Sequence, residues 1–195
     1  MLRAVAEAVA EKGFAWVTVA DIISRAGVSR ETFYEHFSDK EECFIAVLDA
    51  GARVLHDILA AVVAADGDDP VVRLDRVLKA YLNTLAGEPA FAKAFLIDAY
   101  GAGSRATSRR IELQRRFIDL VAEVFDSTDP DSLGHFACEA LVASVSSMVT
   151  VRVGSGRLDE LPALREPIIA LVRRWFGQAA NDASEVTAEA PTAPR

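Results

Sequence analysis

The sequence predicts an all-α protein of about nine helices. Apolar residues recur three and four positions apart through most of its 195 residues. Breaks rich in glycine, proline or aspartate separate these periodic segments, and no segment alternates apolar and polar residues as a half-exposed strand does. We expect an N-terminal three-helix domain over 1–48, a helical body over 49–178 and, from its Ala/Glu/Thr/Pro-rich composition, a disordered tail over 179–195.

The first three helices have clear boundaries. Gly13 ends the first helix. Thr18 and Asp21 have the spacing of a capping box, which predicts a second helix from Thr18 to about residue 25. A turn centred on Gly27 then leads to a third short helix over 29–37.

The helices of the body follow from similar signals. Ser38 and Glu41 form a second capping box, which predicts a long connecting helix over about 38–65. Asp69 with Pro70 begins the next helix.

Three further prolines mark the later helices. Pro130 is expected to begin the helix that ends near residue 154. Pro162 could open the last helix, but Pro167 would then fall inside it, so we expect a kink or a later start.

Composition and charge argue against several classes of protein. The net charge of −8 and pI of about 4.9 do not favour nucleic-acid binding by the chain as a whole. The first 14 residues are not typical of a signal peptide. The longest uncharged stretch near the end, 140–151, falls short of the ~20 residues of a membrane span. Two distant cysteines, Cys43 and Cys138, suit a reducing cytoplasm.

Residues 18–37 have the layout of a helix-turn-helix. Two short helices meet at a tight turn, and five apolar side chains can fill the small space between them: Ile22, Ile23, Val28, Phe33 and Phe37. The helical period turns Glu31, Thr32, Tyr34 and Glu35 outward. In such motifs the second helix enters the major groove of DNA.

The segment TVADIISRAGVSRETFYEHFSDKEECFIAVL, residues 18–48, resembles the DNA-binding domain of TetR-type transcriptional regulators. The shared pattern is a Thr-led helix, an A-G-V-S turn, T-[LF]-Y-x-H-F and a [SD]-K-E cap. Residues 156–177 resemble the closing segment of that family more loosely. The resemblance implies a homodimeric DNA-binding regulator, usually a repressor, released from its operator by a small-molecule effector.

The resemblance also implies roles for individual residues. Phosphate contacts fall to Thr18, Tyr34 and Lys40, supported by His36, and base-edge contacts to Arg30 and Thr32. The family often has a basic arm before its first helix, yet residues 1–48 hold five basic against eight acidic residues, a net charge of −3. We therefore expect weak non-specific affinity for DNA. The alternatives are an ordinary packed helical corner, or a ligand- or partner-binding helical dimer without DNA binding.

Apolar side chains on the fifth to eighth helices predict a cavity for an apolar or aromatic effector. They are Tyr81, Phe91, Phe95, Tyr100, Phe117, Val145 and Met148. The alternative is that they form ordinary core. Asp98 stands in an apolar helix and could meet a cationic ligand or, as we expect, pair with a nearby arginine. Five arginines are expected to form a solvated face, with an anion site as the alternative: Arg105, Arg109, Arg110, Arg115 and Arg116.

The last two helices predict a dimer interface. Residues 140–151 carry no charge, so this helix should be buried on all sides. Small residues on one face allow close approach of a partner helix: Ala137, Ala140, Ser144 and Ser147. The last helix and its lead-in offer a seam at Leu161, Leu164, Ile168, Leu171 and Trp175. The alternative is that both helices only fill the core of their own subunit.

Catalytic signals are lacking in the sequence. The three histidines have no metal-binding spacing, and there is no glycine-rich phosphate loop or nucleophile motif. We expect neither enzymatic activity nor a metal or cofactor. The expected partners are double-stranded operator DNA, an apolar effector and a second copy of the chain, all in the cytoplasm without a membrane. The effector's identity, the operator and the sign of regulation stay open.

Overall fold

A computed structural model describes residues 1–64 and 69–174, and its regular elements are all helical. The helices are α1 (Leu2–Lys12), α2 (Val19–Ala26), α3 (Arg30–His36), α4 (Lys40–Val63), α5 (Pro70–Gly87), α6 (Pro89–Leu96), α7 (Ser104–Val124), α8 (Leu133–Gly154) and α9 (165–174). Short 3-10 helices span Asp98–Tyr100 and Leu158–Leu164. The predicted all-α fold is confirmed. The predicted tail over 179–195 lies outside the described residues.

Aromatic side chains pack the N-terminal helices onto the continuous core of the chain. Phe33 of α3 is fully buried, and its ring centroid lies 5.7 Å from that of Phe37. Phe14, in the loop after α1, packs on Phe44 of α4 at 5.0 Å. A seven-residue helix such as α3 is not stable alone, so these aromatic contacts hold it in place.

The connecting helix α4 begins one residue later than predicted. Asp39, not Ser38, is its N-cap and accepts a hydrogen bond from the Glu42 N–H at 2.8 Å. Glu42, not Glu41, reaches back to the Ser38 N–H at 2.7 Å. Glu41 is turned toward α7, where it accepts hydrogen bonds from Arg105 and from the Ala106 N–H. The predicted domain boundary at residue 48 falls within α4, so this helix belongs to both domains.

The later proline signals were partly wrong. Helix α8 begins at Leu133, capped by the Ser132 hydroxyl, which accepts from the His135 N–H at 3.0 Å; Pro130 lies before it. Pro162 lies in the second 3-10 helix. Pro167 falls in the first turn of α9, where a missing N–H breaks no helical hydrogen bond, so the later start is the correct alternative.

The body packs around α4. Helices α5 and α7 run against it, and α6 contacts both α1 and α4. Gly51 permits the contact with α6, because a Cβ at this position would lie 1.9 Å from the Phe91 ring. The aromatic ring of Phe91 therefore fills the notch that Gly51 leaves in α4.

One face of helix α8 is exposed in the single chain, so the predicted burial of this helix on all sides requires a partner helix on that face. Its Ser144 and Ser147 are exposed, as are Phe136 and Val151, at 62% and 56%. With 22 residues, α8 is also long and apolar enough, by length and composition alone, to cross a membrane, although the core helix of a soluble protein passes the same test. An apolar face of this kind needs a cover, which the single chain does not supply.

Candidate nucleic-acid interface and effector cavity

The turn between α2 and α3 sets the helix-turn-helix geometry. Gly27 adopts the left-handed conformation at φ 65° and ψ 32°, which L-residues with a side chain rarely take. The N–H of Val28 donates to the Ile23 carbonyl at 3.2 Å and closes the end of α2. The predicted capping box at the start of α2 is present: the Thr18 hydroxyl accepts from the Asp21 N–H at 3.1 Å, and Asp21 accepts from the Thr18 N–H at 2.9 Å.

The outer face of α3 carries the polar side chains that the sequence predicts there. Arg30 and His36 are exposed, and Tyr34 is 46% exposed. The Arg30 guanidinium lies 5.6 Å from the centroid of the Tyr34 ring, one helical turn away. Thr32 is partly covered, and its N–H donates to the cap Ser29 Oγ at 3.0 Å. This face is open to a partner while Phe33 anchors the opposite side.

Two cations of the N-terminal segment form ion pairs within it. Lys12 contacts Asp21 at 2.5 Å, and Arg25 pairs with Glu11. The Lys12 ammonium and then the Thr18 hydroxyl hold the pKa of the Asp21 carboxyl well below its usual range. Arg30 is thus the arginine that α3 presents outward, on a helix that also exposes Glu31 and Glu35. Such a face gives little non-specific attraction to phosphates.

The ammonium of Lys40, which the family resemblance assigns to a phosphate, is hydrogen-bonded within the chain. Its ammonium donates to the carbonyls of Phe14 at 3.1 Å and Val17 at 2.9 Å, and it lies 4.6 Å from the centroid of the Phe14 ring. These acceptors occupy the ammonium N–H groups because the loop between α1 and α2 turns its carbonyls toward α4. Lys40 therefore fastens this loop.

The same loop exposes two residues beside the helix-turn-helix. Thr18 is exposed, but its hydroxyl already donates to the Asp21 carboxylate at 2.7 Å. Trp16 is 79% exposed. Trp16 follows Gly13, which ends α1, so its position in the loop agrees with the predicted end of that helix.

One joint links the body to the start of α4. The Arg105 guanidinium donates to Asp39 at 2.6 Å and to Glu41 at 3.0 Å. Gly103 allows the approach, because a Cβ there would lie 2.4 Å from the Glu41 carboxylate. Arg109 likewise pairs with Asp49 at 2.6 Å. Arg105 is exposed, as the prediction of a solvated arginine face requires, whereas Arg109 is partly buried; acidic side chains of α4 lie opposite both.

A second joint links the body to the end of α1. Lys93 of α6 donates to the Ala10 carbonyl, and Asp98 accepts a hydrogen bond from the Phe14 N–H. The second carboxylate oxygen of Asp98 is buried without a hydrogen-bond partner. Burial raises the pKa of this carboxyl. The expected pairing of Asp98 with an arginine was wrong, because the cation that acts on it is Lys93.

A cavity of about 80 Å³ lies inside the body, between α4, α5, α7 and α8. Its lining is apolar except at one end. Four of the predicted residues line it, namely Tyr81, Phe95, Phe117 and Val145. Further apolar lining comes from Leu55, Leu59, Leu74, Val77, Leu78, Leu85, Leu120, Val121, Leu141, Val142 and Ile168.

Three predicted cavity residues do not line it. Phe91 packs into the notch at Gly51. Tyr100 is 56% exposed and covers the outer side of Arg110. Met148 is partly buried against the core outside the lining. Periodicity placed all three on apolar faces but could not say which neighbour each face meets.

The polar end of the cavity is built around Arg110, which the sequence analysis assigned to a solvated face. Its side chain is only 2% exposed. Its Nε donates to the Phe95 carbonyl at 3.2 Å, and its other nitrogens contact Gln114 and the Ser146 hydroxyl, the latter at 3.4 Å. Burial lowers the pKa of this guanidinium.

The predicted interface residues divide into two groups. Ser144 and Ser147 are exposed and Ala137 and Ala140 half-buried on α8, and Leu171 on α9 is 51% exposed. In contrast, three residues are buried within the single chain, Leu161, Leu164 and Ile168. Their assignment to the seam is corrected, because they pack on their own core. Trp175 lies outside the described residues.

Reactive groups are sparse in the same part of the chain. Over residues 1–64 and 69–174, no group of three His, Cys, Asp or Glu side chains could hold a metal ion. Both cysteines are buried and unpaired, and burial raises the pKa of the Cys43 thiol to about 11.

Comparison with known proteins finds matches to bacterial transcriptional regulators. Residues 1–47 match the model for bacterial regulatory proteins of the tetR family. The HTH-type transcriptional regulator EthR of Mycolicibacterium smegmatis is 30% identical over 83 residues, 43% of this chain; the match spans only 38% of that regulator's length.

Two solved structures resemble the whole described fold. The fatty acid degradation regulator FadR of Bacillus halodurans has a TM-score of 0.77 at 19% identity, covering 87% of this chain and 94% of that one. The transcriptional regulator FadR of Bacillus subtilis, in complex with stearoyl-CoA, has a TM-score of 0.76 at 18% identity with the same coverage. At such identities the likeness is one of fold.

Proposed function

We propose that the chain, whose residues 1–47 match the model for bacterial regulatory proteins of the tetR family, is a dimeric regulator of transcription. In this proposal α3 binds operator DNA, and a small molecule that enters the body releases it. One observation carries the proposal: α3 presents Arg30, Tyr34 and His36 outward while Phe33 locks its inner side.

The proposed DNA contacts follow from exposure. Arg30 lies at the start of α3, where a guanidinium can bind a guanine edge through two hydrogen bonds. Tyr34, His36 and Thr18 lie around it for phosphate contacts, and Trp16 extends the same surface. Lys40 is left out because it fastens the loop. Selectivity then arises partly from Glu31 and Glu35, which repel phosphates in a wrong register.

A gel shift with DNA from around the gene itself tests the operator contact. Arg30→Ala should cost about 1–3 kcal/mol on the bound site and much less on random DNA. Arg115→Ala removes the same charge from an exposed position on α7 and is the matched control. Equal losses on both DNAs for Arg30→Ala would show that Arg30 does not contact bases.

Release of DNA requires that the cavity be coupled to α3. The Arg105 joint fixes the start of α4, and the Asp98 joint fixes the loop that Lys40 fastens. The empty cavity is far smaller than the ~300–1,000 Å³ of ordinary small-molecule sites. A ligand must therefore move the surrounding helices, and it acts only through its different affinities for the two arrangements, a coupling of about 1–3 kcal/mol. FadR of Bacillus subtilis, solved with stearoyl-CoA, supports a site for a small molecule in this fold.

The proposed dimer uses the exposed face of α8. Small side chains at Ser144 and Ser147 permit close approach, and exposed Phe136, Val151 and Leu171 add apolar area. A second copy of the chain covers this face, as a two-fold dimer of a helix-turn-helix protein requires. With a partner helix on this face, α8 needs no membrane, and we place the protein in the cytoplasm.

Sedimentation velocity tests the interface. Ser144→Arg buries an unpaired charge in the seam and should convert the dimer to monomer. Ser108→Arg, at an exposed serine of α7, should leave the dimer intact. A folded dimer from Ser144→Arg would place the interface elsewhere.

A second candidate function is a helical dimer that binds a ligand or partner without DNA. The net charge of −3 over residues 1–48, together with the engagement of Lys40, favours it. Absence of any gel shift, with an intact dimer, would select this candidate.

A further inference from the structure

The cavity contains a charge that the chain does not neutralise. Arg110 is almost fully buried, and the groups that contact it are neutral: the Phe95 carbonyl, Gln114 and the Ser146 hydroxyl. Aromatic rings flank the guanidinium, with centroids 4.6 Å away for Tyr100 and 5.3 Å away for Phe95. Buried charges in proteins are ordinarily paired, because an isolated ion loses its hydration without compensation.

No counter-ion is supplied by the surrounding helices. The lining of the cavity, drawn from α4 to α9, contains no aspartate or glutamate. Among residues 1–64 and 69–174, no carboxylate lies within 4 Å of the Arg110 guanidinium. The neighbouring arginines differ, since Arg105 and Arg109 both bind acidic side chains of α4.

The guanidinium also keeps hydrogen-bonding capacity. It has five N–H bonds, of which three serve Phe95, Gln114 and Ser146, the last at a long 3.4 Å. A planar fork with spare donors suits a carboxylate, which accepts two parallel N–H bonds. Directly beside it lies an apolar wall formed by Leu, Val and Phe side chains.

We propose that the effector is an amphiphile with one anionic group of the carboxylate class, and that Arg110 binds this group while the apolar wall binds the remainder. The proposal rests on the proposed function in one respect, that the cavity is the effector site. Pairing with the ligand would draw the guanidinium from the Tyr100 ring. Tyr100 shares its 3-10 helix with Asp98, which contacts the loop next to the helix-turn-helix.

Calorimetric titration of the full chain at pH 7 tests the proposal. The probes are hexanoate, octanoate and decanoate, each against the alcohol of equal length, because the small cavity must open to a length not yet known. Wild-type protein should bind the best carboxylate at least about tenfold more tightly than its alcohol. Arg110→Met should weaken carboxylate binding by about 10- to 100-fold and leave alcohol binding within about threefold.

Two control variants locate the anion. Arg115→Met removes an exposed arginine of α7 and should bind like wild type. Arg116→Met alters an outer cleft lined by Arg53, His56 and Arg116, which touches the other side of Phe117. Carboxylate binding that survives Arg110→Met but falls in Arg116→Met would overturn the proposal.

Other outcomes are equally decisive. The proposal is wrong if alcohols bind wild type as tightly as carboxylates do, or if none of the three carboxylates binds at millimolar concentration. This comparison needs only wild-type protein, so it holds even if Arg110→Met does not fold. A neutral compound that releases DNA would overturn this proposal and leave the proposed function standing. Carboxylate binding through Arg110 with no effect on DNA would leave Arg110 as the anion site but overturn the release of DNA by this cavity, which belongs to the proposed function.

Discussion

Arg30 on the outer face of α3 and Arg110 in the body cavity differ in what surrounds them. Each guanidinium lies near a tyrosine ring, Tyr34 at 5.6 Å and Tyr100 at 4.6 Å. Neither forms an ion pair among the described residues. Arg30 is in water, where an unpaired cation is ordinary, whereas Arg110 is buried, where it is costly. An unpaired charge is therefore informative only in the interior, and there it indicates a missing partner.

Lys40 is a third case, a cation whose ammonium is hydrogen-bonded to backbone carbonyls. Its contacts with Phe14 and Val17 hold a loop, so its charge serves the fold and not a ligand. The three cations can be separated by experiment, because each makes a different contribution to stability.

The largest effect on stability is expected at Lys40. Lys40→Met removes charged hydrogen bonds and leaves two carbonyls without their donor, which should lower the free energy of unfolding by about 2–3 kcal/mol. Arg30→Met, a surface change, should stay within about 0.5 kcal/mol. Urea unfolding of both variants measures the difference.

The salt dependence of DNA binding distinguishes two possible roles of Lys40, holding the loop and contacting a phosphate. If Lys40 only fastens the loop, Lys40→Met weakens binding without changing its dependence on salt. A direct phosphate contact would lower the salt slope by about one unit. The latter result, with stability near that of the wild type, would restore Lys40 to the DNA contacts and contradict its structural role.

A smaller change in stability is expected at Arg110. Arg110→Met removes three hydrogen bonds, but it also removes the cost of keeping an unpaired cation out of water, and the two changes oppose each other. Arg110→Met should therefore change the free energy of unfolding by less than about 1 kcal/mol, measured by urea unfolding without ligand. A loss comparable to that of Lys40→Met would show that Arg110 holds the fold together, and the contrast between the two cations would disappear.

The same contrast explains what the sequence could reveal. The helix-turn-helix depends on local signals: the Thr18–Asp21 box, the positive φ of Gly27 and the buried Phe33. The predicted start of α4 was wrong by one residue because Ser38 and Asp39 are both good N-cap residues. Asp39, which is the N-cap in the structure, also accepts a hydrogen bond from Arg105, 66 residues away in the sequence.

The cavity depends on contacts between distant segments. Helical periodicity correctly predicted Phe95 and Phe117 as cavity residues, but it predicted Phe91 equally. The ring of Phe91 instead packs on Gly51 of α4, a contact that the local sequence of α6 does not reveal. Arg110 has arginine neighbours on α7 with similar local sequence. Contacts with other segments, from the Phe95 carbonyl of α6 and Ser146 of α8, distinguish it from the exposed Arg115.

The smallest expected effect concerns Asp98, the buried anion that complements this set of cations. Burial raises its pKa above the ordinary value of 3.8, so the folded chain holds this proton more tightly than the unfolded chain does. Its contribution therefore favours the folded state at low pH and is lost as pH rises from about 3.8 through the folded pKa. Asp98→Asn cannot ionise. Urea unfolding should therefore show that the unfolding free energy of Asp98→Asn, minus that of wild type, increases between pH 4 and pH 7. The control for loss of a carboxylate is Asp119→Asn, an exposed change on α7. If this free-energy difference instead decreases as pH rises, Asp98 is stabilised in its ionised form. The folded chain would then compensate the carboxylate charge at its contact with Phe14.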